Sequence, residues 1–159
     1  MQPRIDLNQK GASGALQALL GIEKYVRQSG LEHSLIHLIK TRTSQINHCA
    51  YCIDMHTKDA RAEGETEQRL YALNAWRETP FYSERERAAL EWTEALTMIS
   101  DNNISDEVYE SVRKHFSEEE MIHLTMAVVA INGWNRIAIP FRAVPGTYQP
   151  SRSMAHSNS

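Results

Sequence analysis

The placement of proline does most to limit what this chain can fold into. Prolines stand only at positions 3, 80, 140, 145 and 150. Two long stretches therefore lack the residue that breaks helices. No alternation of apolar and polar β-branched residues runs for more than a few positions, so nothing reads as a strand. Apolar residues instead recur every three or four positions. The expected fold is all-α, with six to seven helices.

Start and stop signals divide the chain. A first helix is expected from about Ser13, a cap, to Gln28, stopped by Ser29-Gly30, with Leu16, Leu19, Leu20 and Tyr25 on one side. A second is expected over Glu32–Ser44, with Leu31, Leu35, Leu38, Ile39 and Ile46 as its stripe. A third runs from about His48 to Glu63 and ends at Gly64. A fourth runs from Thr66 to Glu78, before Thr79-Pro80. Ser83 and Glu86 form a capping box that opens a fifth helix to about Ser100. A short sixth spans Ser105 to about His115. A second capping box, Ser117 and Glu120, opens the longest apolar stretch, Met121 to Ile139, with a loop expected after Pro140. Its circumference is mostly apolar from Leu124 to Ile131, which predicts a place at the centre of the core or in a subunit interface.

The length of 159 residues suits one domain, expected over 1–150, and the small polar segment 151–159 reads as a disordered tail. A net charge of −3 excludes nucleic-acid binding by bulk charge, and no polybasic membrane anchor is present. No run of 18 apolar residues exists to span a bilayer. The nearest approach to a signal sequence, Ala15 to Ile22, is broken by Gln17 and followed by Glu23 and Lys24. The expected location is the cytoplasm. The two cysteines, three residues apart, there read as catalytic or metal-binding.

That pair lies in Asn47-His-Cys-Ala-Tyr-Cys-Ile-Asp-Met-His56. On a helix turning 100° per residue, Cys49, Cys52, Ile53, His56 and Ala60 share one face. Asp54, Lys58 and Arg61 lie opposite, toward water. Cysteines at i and i+3 have Cα atoms about 5 Å apart, within disulfide range. The start of a helix favours a thiolate, the reactive form. His56 follows Cys52 by one turn, within reach of a hydrogen bond or a one-water bridge. Three readings are open. The pair is redox-active, or His48, Cys49, Cys52 and His56 bind zinc, or the cysteines are merely small buried residues. Zinc is the poorer geometry, because His48 points about 100° away from Cys49 on a helix. No metal or other cofactor is expected. Glu120 and His123 have the ExxH spacing of di-iron bundles, but such sites need a second copy and more glutamates. Trp76, Trp92 and Trp134 read as core or interface.

With its flanks, this stretch resembles the carboxymuconolactone decarboxylase superfamily, specifically its alkyl hydroperoxidase D (AhpD)-like core. The resemblance runs from about Leu16 to Pro150. Its strongest part is Ser44 to His56, continued by Gly64–Leu70, Trp76–Pro80, Ala130–Arg136 and Pro145–Pro150. The resemblance implies a helical array that assembles as trimers or hexamers, and a thiol-dependent alkyl hydroperoxide reductase serving antioxidant defence. It implies Cys49 and Cys52 as the redox pair, with Cys52 attacking a small hydroperoxide and Cys49 resolving, and His56 as the motif histidine. An external dithiol reductant is the further partner implied. The family motif places a glutamate twelve residues before the first cysteine, where this chain has His37. A histidine can relay protons near neutral pH but supplies no fixed negative charge. A second departure is His48, where the family commonly has glycine. Alternatives are a thiol–disulfide oxidoreductase acting on a protein, a lactone decarboxylase like the family's namesake, and a non-catalytic assembly protein.

Overall fold

A computed structural model describes residues 1–6, 13–101 and 104–150. The tail expected to be disordered, 151–159, lies outside them. Among the described residues there are seven α-helices and no strand. They are α1 (Ser13–Arg27), α2 (His33–Ile46), α3 (Ala50–Ala62), α4 (Glu67–Ala72), α5 (Glu84–Thr97), α6 (Asp106–Arg113) and α7 (Glu118–Phe141). Both expected capping boxes form. Ser83 and Ser117 accept the N–H of Glu86 and Glu120, whose carboxylates accept the serine N–H in return.

Among the boundaries that differ from expectation, three bear on packing or on the site. The fourth helix divides, because Ala75 leaves helical geometry (φ −120°, ψ 29°) and Leu73–Glu78 continues as a 3₁₀ helix. The kink turns Trp76 inward, where its Nε1 donates to Glu94 Oε1 at 2.8 Å. Secondly, α7 runs through Pro140 and ends at Arg142 in the left-handed conformation (φ 56°). A proline in the last turn forfeits only one helical hydrogen bond. Thirdly, α3 begins at Ala50, with Cys49 as its N-cap.

Helix α2 is the hub, packed against α3, α5 and α7. Its burial is wider than the expected stripe. Lys40, Thr41, Thr43 and Ser44 are buried alongside Leu35, Ile36, Leu38 and Ile39. Burying polar groups costs little only when they are paired. Lys40 pairs with Glu23, and Thr43 meets the Thr97 hydroxyl at 3.4 Å. One apolar cluster joins Val26, Ile39, Trp92, Val112, Leu124 and Val128 across five helices. A second gathers Leu38, Leu73, Trp76, Tyr82 and Leu90. Glu94 binds these parts together, accepting from Arg42 at 2.8 Å, from Trp76 and from Arg77. Burial pushes its carboxyl pKa up, but these donors outweigh that and leave it below the ordinary value of 4.5. The charged pair therefore stabilises the fold above pH 4.5, and that stability is lost as pH falls through the lower folded value.

Helix α7 is central, as expected. It packs on α1, α2, α3 and α5. A Cβ at Gly133 would stand 3.0 Å from the Leu19 side chain, so glycine lets α1 approach closely there. Two asparagines of α7 hold the α2–α3 turn. Asn47 Nδ2 donates to Asn132 Oδ1 at 3.0 Å and Asn135 Oδ1 at 2.9 Å, and Asn135 Nδ2 donates to Ser44 Oγ at 3.2 Å. Asn135 is only 1% exposed. Asn135→Ala leaves the Ser44 hydroxyl without this donor and weakens the hold on Asn47. The expected loss is about 2 kcal/mol. Thermal unfolding followed by circular dichroism should show a melting temperature lower by roughly 4–8 °C.

Candidate redox site

The α2–α3 turn is a tight reversal whose cost falls on His48, a non-glycine residue at φ 57°. This left-handed conformation is unfavourable for a side chain with a Cβ. It gives a backbone reason for glycine at the equivalent place in the family. The His48 side chain is exposed, whereas Cys49, Cys52 and His56 are buried. The four candidate zinc ligands are therefore not brought together. Among the described residues no group of three or more His, Cys, Asp or Glu is placed to hold a metal ion.

Cys49 and Cys52 are joined as a disulfide with Cα atoms 5.3 Å apart. Both are about 1% exposed. Ile131 and Ala138 of α7 pack on them, with Tyr51, Trp134 and Ala143 around. As the N-cap, Cys49 accepts the Cys52 N–H on its Sγ at 3.4 Å. Its sulfur thus takes the place of the oxygen that usually caps a helix, at the positive end of the dipole.

Cys52, His56 and Ala60 are the buried residues of α3, as the helical face predicts. Burial, then the charges of Lys40 and His37, hold the His56 pKa well below 6.5. The imidazole is therefore neutral at pH 7. Its Nε2 is buried with no hydrogen-bond partner. His37 faces α3, with its side chain 14% exposed and Nε2 3.1 Å from Glu63 Oε2. Its Nδ1 is also buried without a partner. Its neighbour Lys40 pairs with Glu23, which in turn accepts the Trp134 Nε1 at 3.0 Å. A shallow cleft over this group is lined by Arg27, His33, Ile36, His37, Lys40 and Glu63.

The opposite face of α3 looks into water at Arg61, as expected, but Asp54 and Lys58 on it are half-buried. The segment after α7 lies over them. Lys58 donates to the carbonyl oxygens of Gly146 at 3.3 Å and Tyr148 at 3.1 Å, and Gly146 N–H donates to Asp54 Oδ2 at 2.9 Å. The Tyr148 hydroxyl donates to Asp59 at 2.7 Å. Burial and that carboxylate push its pKa up to about 12. The ExxH residues serve other ends. Glu120 caps α7 and pairs with Arg85, while His123 Nδ1 meets the Tyr25 hydroxyl at 2.8 Å.

The sequence reading missed Glu63, Lys40 and Glu23. Glu63 follows His56 by seven residues, two turns along the same stripe. Lys40 follows His37 by three, one turn on. Those spacings were the available signal.

Comparison with known proteins adds to the geometry. The pattern of the carboxymuconolactone decarboxylase family matches residues 13–95. The uncharacterised protein YdfG of Bacillus subtilis is 48% identical over 128 residues, which cover 80% of this chain and 87% of YdfG. A crystal structure from Agrobacterium tumefaciens, of a protein of unknown function named as a candidate antioxidant defence protein AhpD, is 46% identical. It superposes with a TM-score of 0.87 and covers 92% of this chain and 100% of its own. A cysteine-to-alanine variant of the debrominase Bmp8, crystallised with 2,3,4-tribromopyrrole, shares the fold at 20% identity with a TM-score of 0.76, over 85% of this chain and 72% of its own.

The depressed His56 pKa has a consequence for stability. The unfolded chain binds a proton at this histidine below about pH 6.5 and the folded chain does not, so stability falls as pH drops through that region. Urea unfolding at pH 7.5 and pH 5.5 should show wild type losing about 1 kcal/mol more than His56→Gln does. Equal losses would show that His56 protonates readily in the folded protein.

Proposed function

The chain belongs to the carboxymuconolactone decarboxylase family, and from that premise we propose that it is a thiol-dependent alkyl hydroperoxide reductase working through Cys49 and Cys52. The observation that carries this reading is the pair itself. Two cysteines close a disulfide at the N-terminal end of α3, with a buried neutral histidine one turn further on. The name given to the Agrobacterium relative points the same way.

In the reduced protein, Cys52 gives its proton to His56. The thiolate attacks the distal oxygen of the hydroperoxide, the O–O bond breaks, and the leaving alkoxide takes a proton to become an alcohol. Cys52 is then a sulfenic acid. Cys49 attacks its sulfur, forming the disulfide and releasing water. An external dithiol, itself oxidised to a disulfide, reduces the pair for the next cycle. A reducing cytoplasm suits this cycle.

Burial of both sulfurs favours a small substrate and a small reductant over a protein disulfide, whose bulk cannot approach a residue 1% exposed. This weighs against a protein-directed oxidoreductase. The helix N-terminus favours Cys49 as the thiolate, whereas His56 favours Cys52. We assign the attack to Cys52, because a hydrogen bond to histidine is directional and short-ranged. In a peroxidase assay with cumene hydroperoxide and a dithiol, Cys52→Ser should lose all turnover. Cys49→Ser should complete one turnover and stop at a sulfenic acid that dimedone traps. The reverse pattern would give the attack to Cys49.

Assembly is part of the same proposal. Ile122 and Val129 lie a heptad apart on α7 and are 59% and 47% exposed, and Leu20 and Tyr25 of the adjoining α1 are exposed too. An apolar face of this kind marks an interaction surface. Light scattering at micromolar concentration should report three or six chains, and a monomer would contradict the proposal.

A further inference from the structure

His37 occupies the position where the resemblance calls for a glutamate, so the site lacks its expected carboxylate in sequence. The structure supplies one from elsewhere. Glu63 is the C-cap of α3, and its backbone N–H bonds back to Asp59 and Arg61. Gly64 then turns the chain at φ 99°, a conformation that favours glycine. The Glu63 carboxylate is thereby held against α2, 3.1 Å from His37 Nε2 and 3.6 Å from His33 Nδ1.

We propose that Glu63 is the positioning carboxylate of this redox site, acting on the cysteine pair through His37 in place of a glutamate at position 37. A carboxylate at Nε2 fixes a histidine as the Nε2–H tautomer, which leaves Nδ1 as the proton acceptor. Here Nδ1 is the atom of His37 that is buried and without a partner, as is Nε2 of His56. Each ring thus carries a buried nitrogen free to exchange a proton, the two rings are close enough for their charges to interact, and one of them is anchored by a carboxylate.

The inference rests on the peroxidase reading, and its chemistry balances within that cycle. The Cys52 proton passes to His56. His56 gives up the proton from its other nitrogen to His37 Nδ1, where the imidazolium faces the Glu63 carboxylate. When the O–O bond breaks, the proton returns by the same groups to the alkoxide. Glu63 is neither oxidised nor reduced and keeps no proton. The other titratable groups at the cleft are Arg27, His33 and Lys40. Lys40 is neutralised by Glu23, and the His33 side chain is 57% exposed. Glu63 is 40% exposed, so as a plain surface ion pair it would contribute little to stability.

The test compares Glu63→Gln, Glu63→Asp, His33→Gln, His37→Glu and the double variant His37→Glu/Glu63→Gln. Each reduced protein is assayed from pH 5 to 9 for iodoacetamide alkylation of its thiols and, separately, for single-turnover reduction of cumene hydroperoxide. Glu63→Gln should slow both reactions at pH 7 by about tenfold or more, with a melting temperature close to wild type. Glu63→Asp should recover most of the rate, and His33→Gln should match wild type. In the His37→Glu background the Glu63→Gln change should have no further effect, because the carboxylate is then supplied directly. Wild-type alkylation and peroxide rates for Glu63→Gln across the pH range would overturn the inference and leave the peroxidase reading standing. Slowed alkylation in Glu63→Gln, with a wild type that reduces no hydroperoxide, would support the relay and overturn the peroxidase reading instead.

Discussion

The tie between the α2–α3 turn and α7 governs the rest of the structure. Asn47 is held by Asn132 and Asn135, and Asn135 in turn holds Ser44. These polar contacts are buried or part-buried, directional and costly to leave unmade. Apolar packing alone would tolerate α3 sliding along α2 by a fraction of a turn. The asparagine seam fixes the register instead. That register decides where α3 starts, hence that Cys49 is a cap and Cys52 is in the first turn.

With the turn pinned, the electrostatics of the site follow from two opposed effects. The N-terminus of α3 offers positive potential at the cysteine sulfurs, which favours a thiolate. Burial with the charges of Lys40 and His37 works against charge on His56. A neutral imidazole near a potential thiolate is suited to moving protons and unsuited to holding one permanently. Lys40 is buried with Glu23 as its ion-pair partner, and Trp134 donates to the same carboxylate. The segment after α7 covers the other side of α3 through Asp54, Lys58 and Asp59. The reactive helix is thus held on both faces, which limits how far its N-terminus can move when the disulfide opens.

Much of the fold was legible in sequence where the information is local. The two capping boxes, the glycine after α3 and the apolar density of α7 each act within a few residues, so short patterns predicted them. The errors lie where a distant partner changes the outcome. The fourth helix kinks at Ala75 as Trp76 reaches Glu94, eighteen residues away. Lys40, Thr43 and Ser44 lie outside the expected apolar stripe of α2 and are buried, since their partners come from α1, α5 and α7. Asp54 and Lys58 looked solvated, and the chain from Gly146 to Tyr148 covers them.

By itself the sequence determined that the chain is helical and that Cys49, Cys52 and His56 share one face near the start of a helix. Helical period and capping depend on neighbours three to seven residues apart, and both are written in the chain. Only the tertiary structure decided that His37 turns toward α3, that Glu63 meets it, and that Lys40 stands beside them with its own counter-ion. Those meetings depend on how α1, α2 and α3 cross, and the crossing is set by side-chain packing and by the asparagines of a helix some ninety residues downstream. A carboxylate absent from its expected place at position 37 could therefore be found again only in three dimensions.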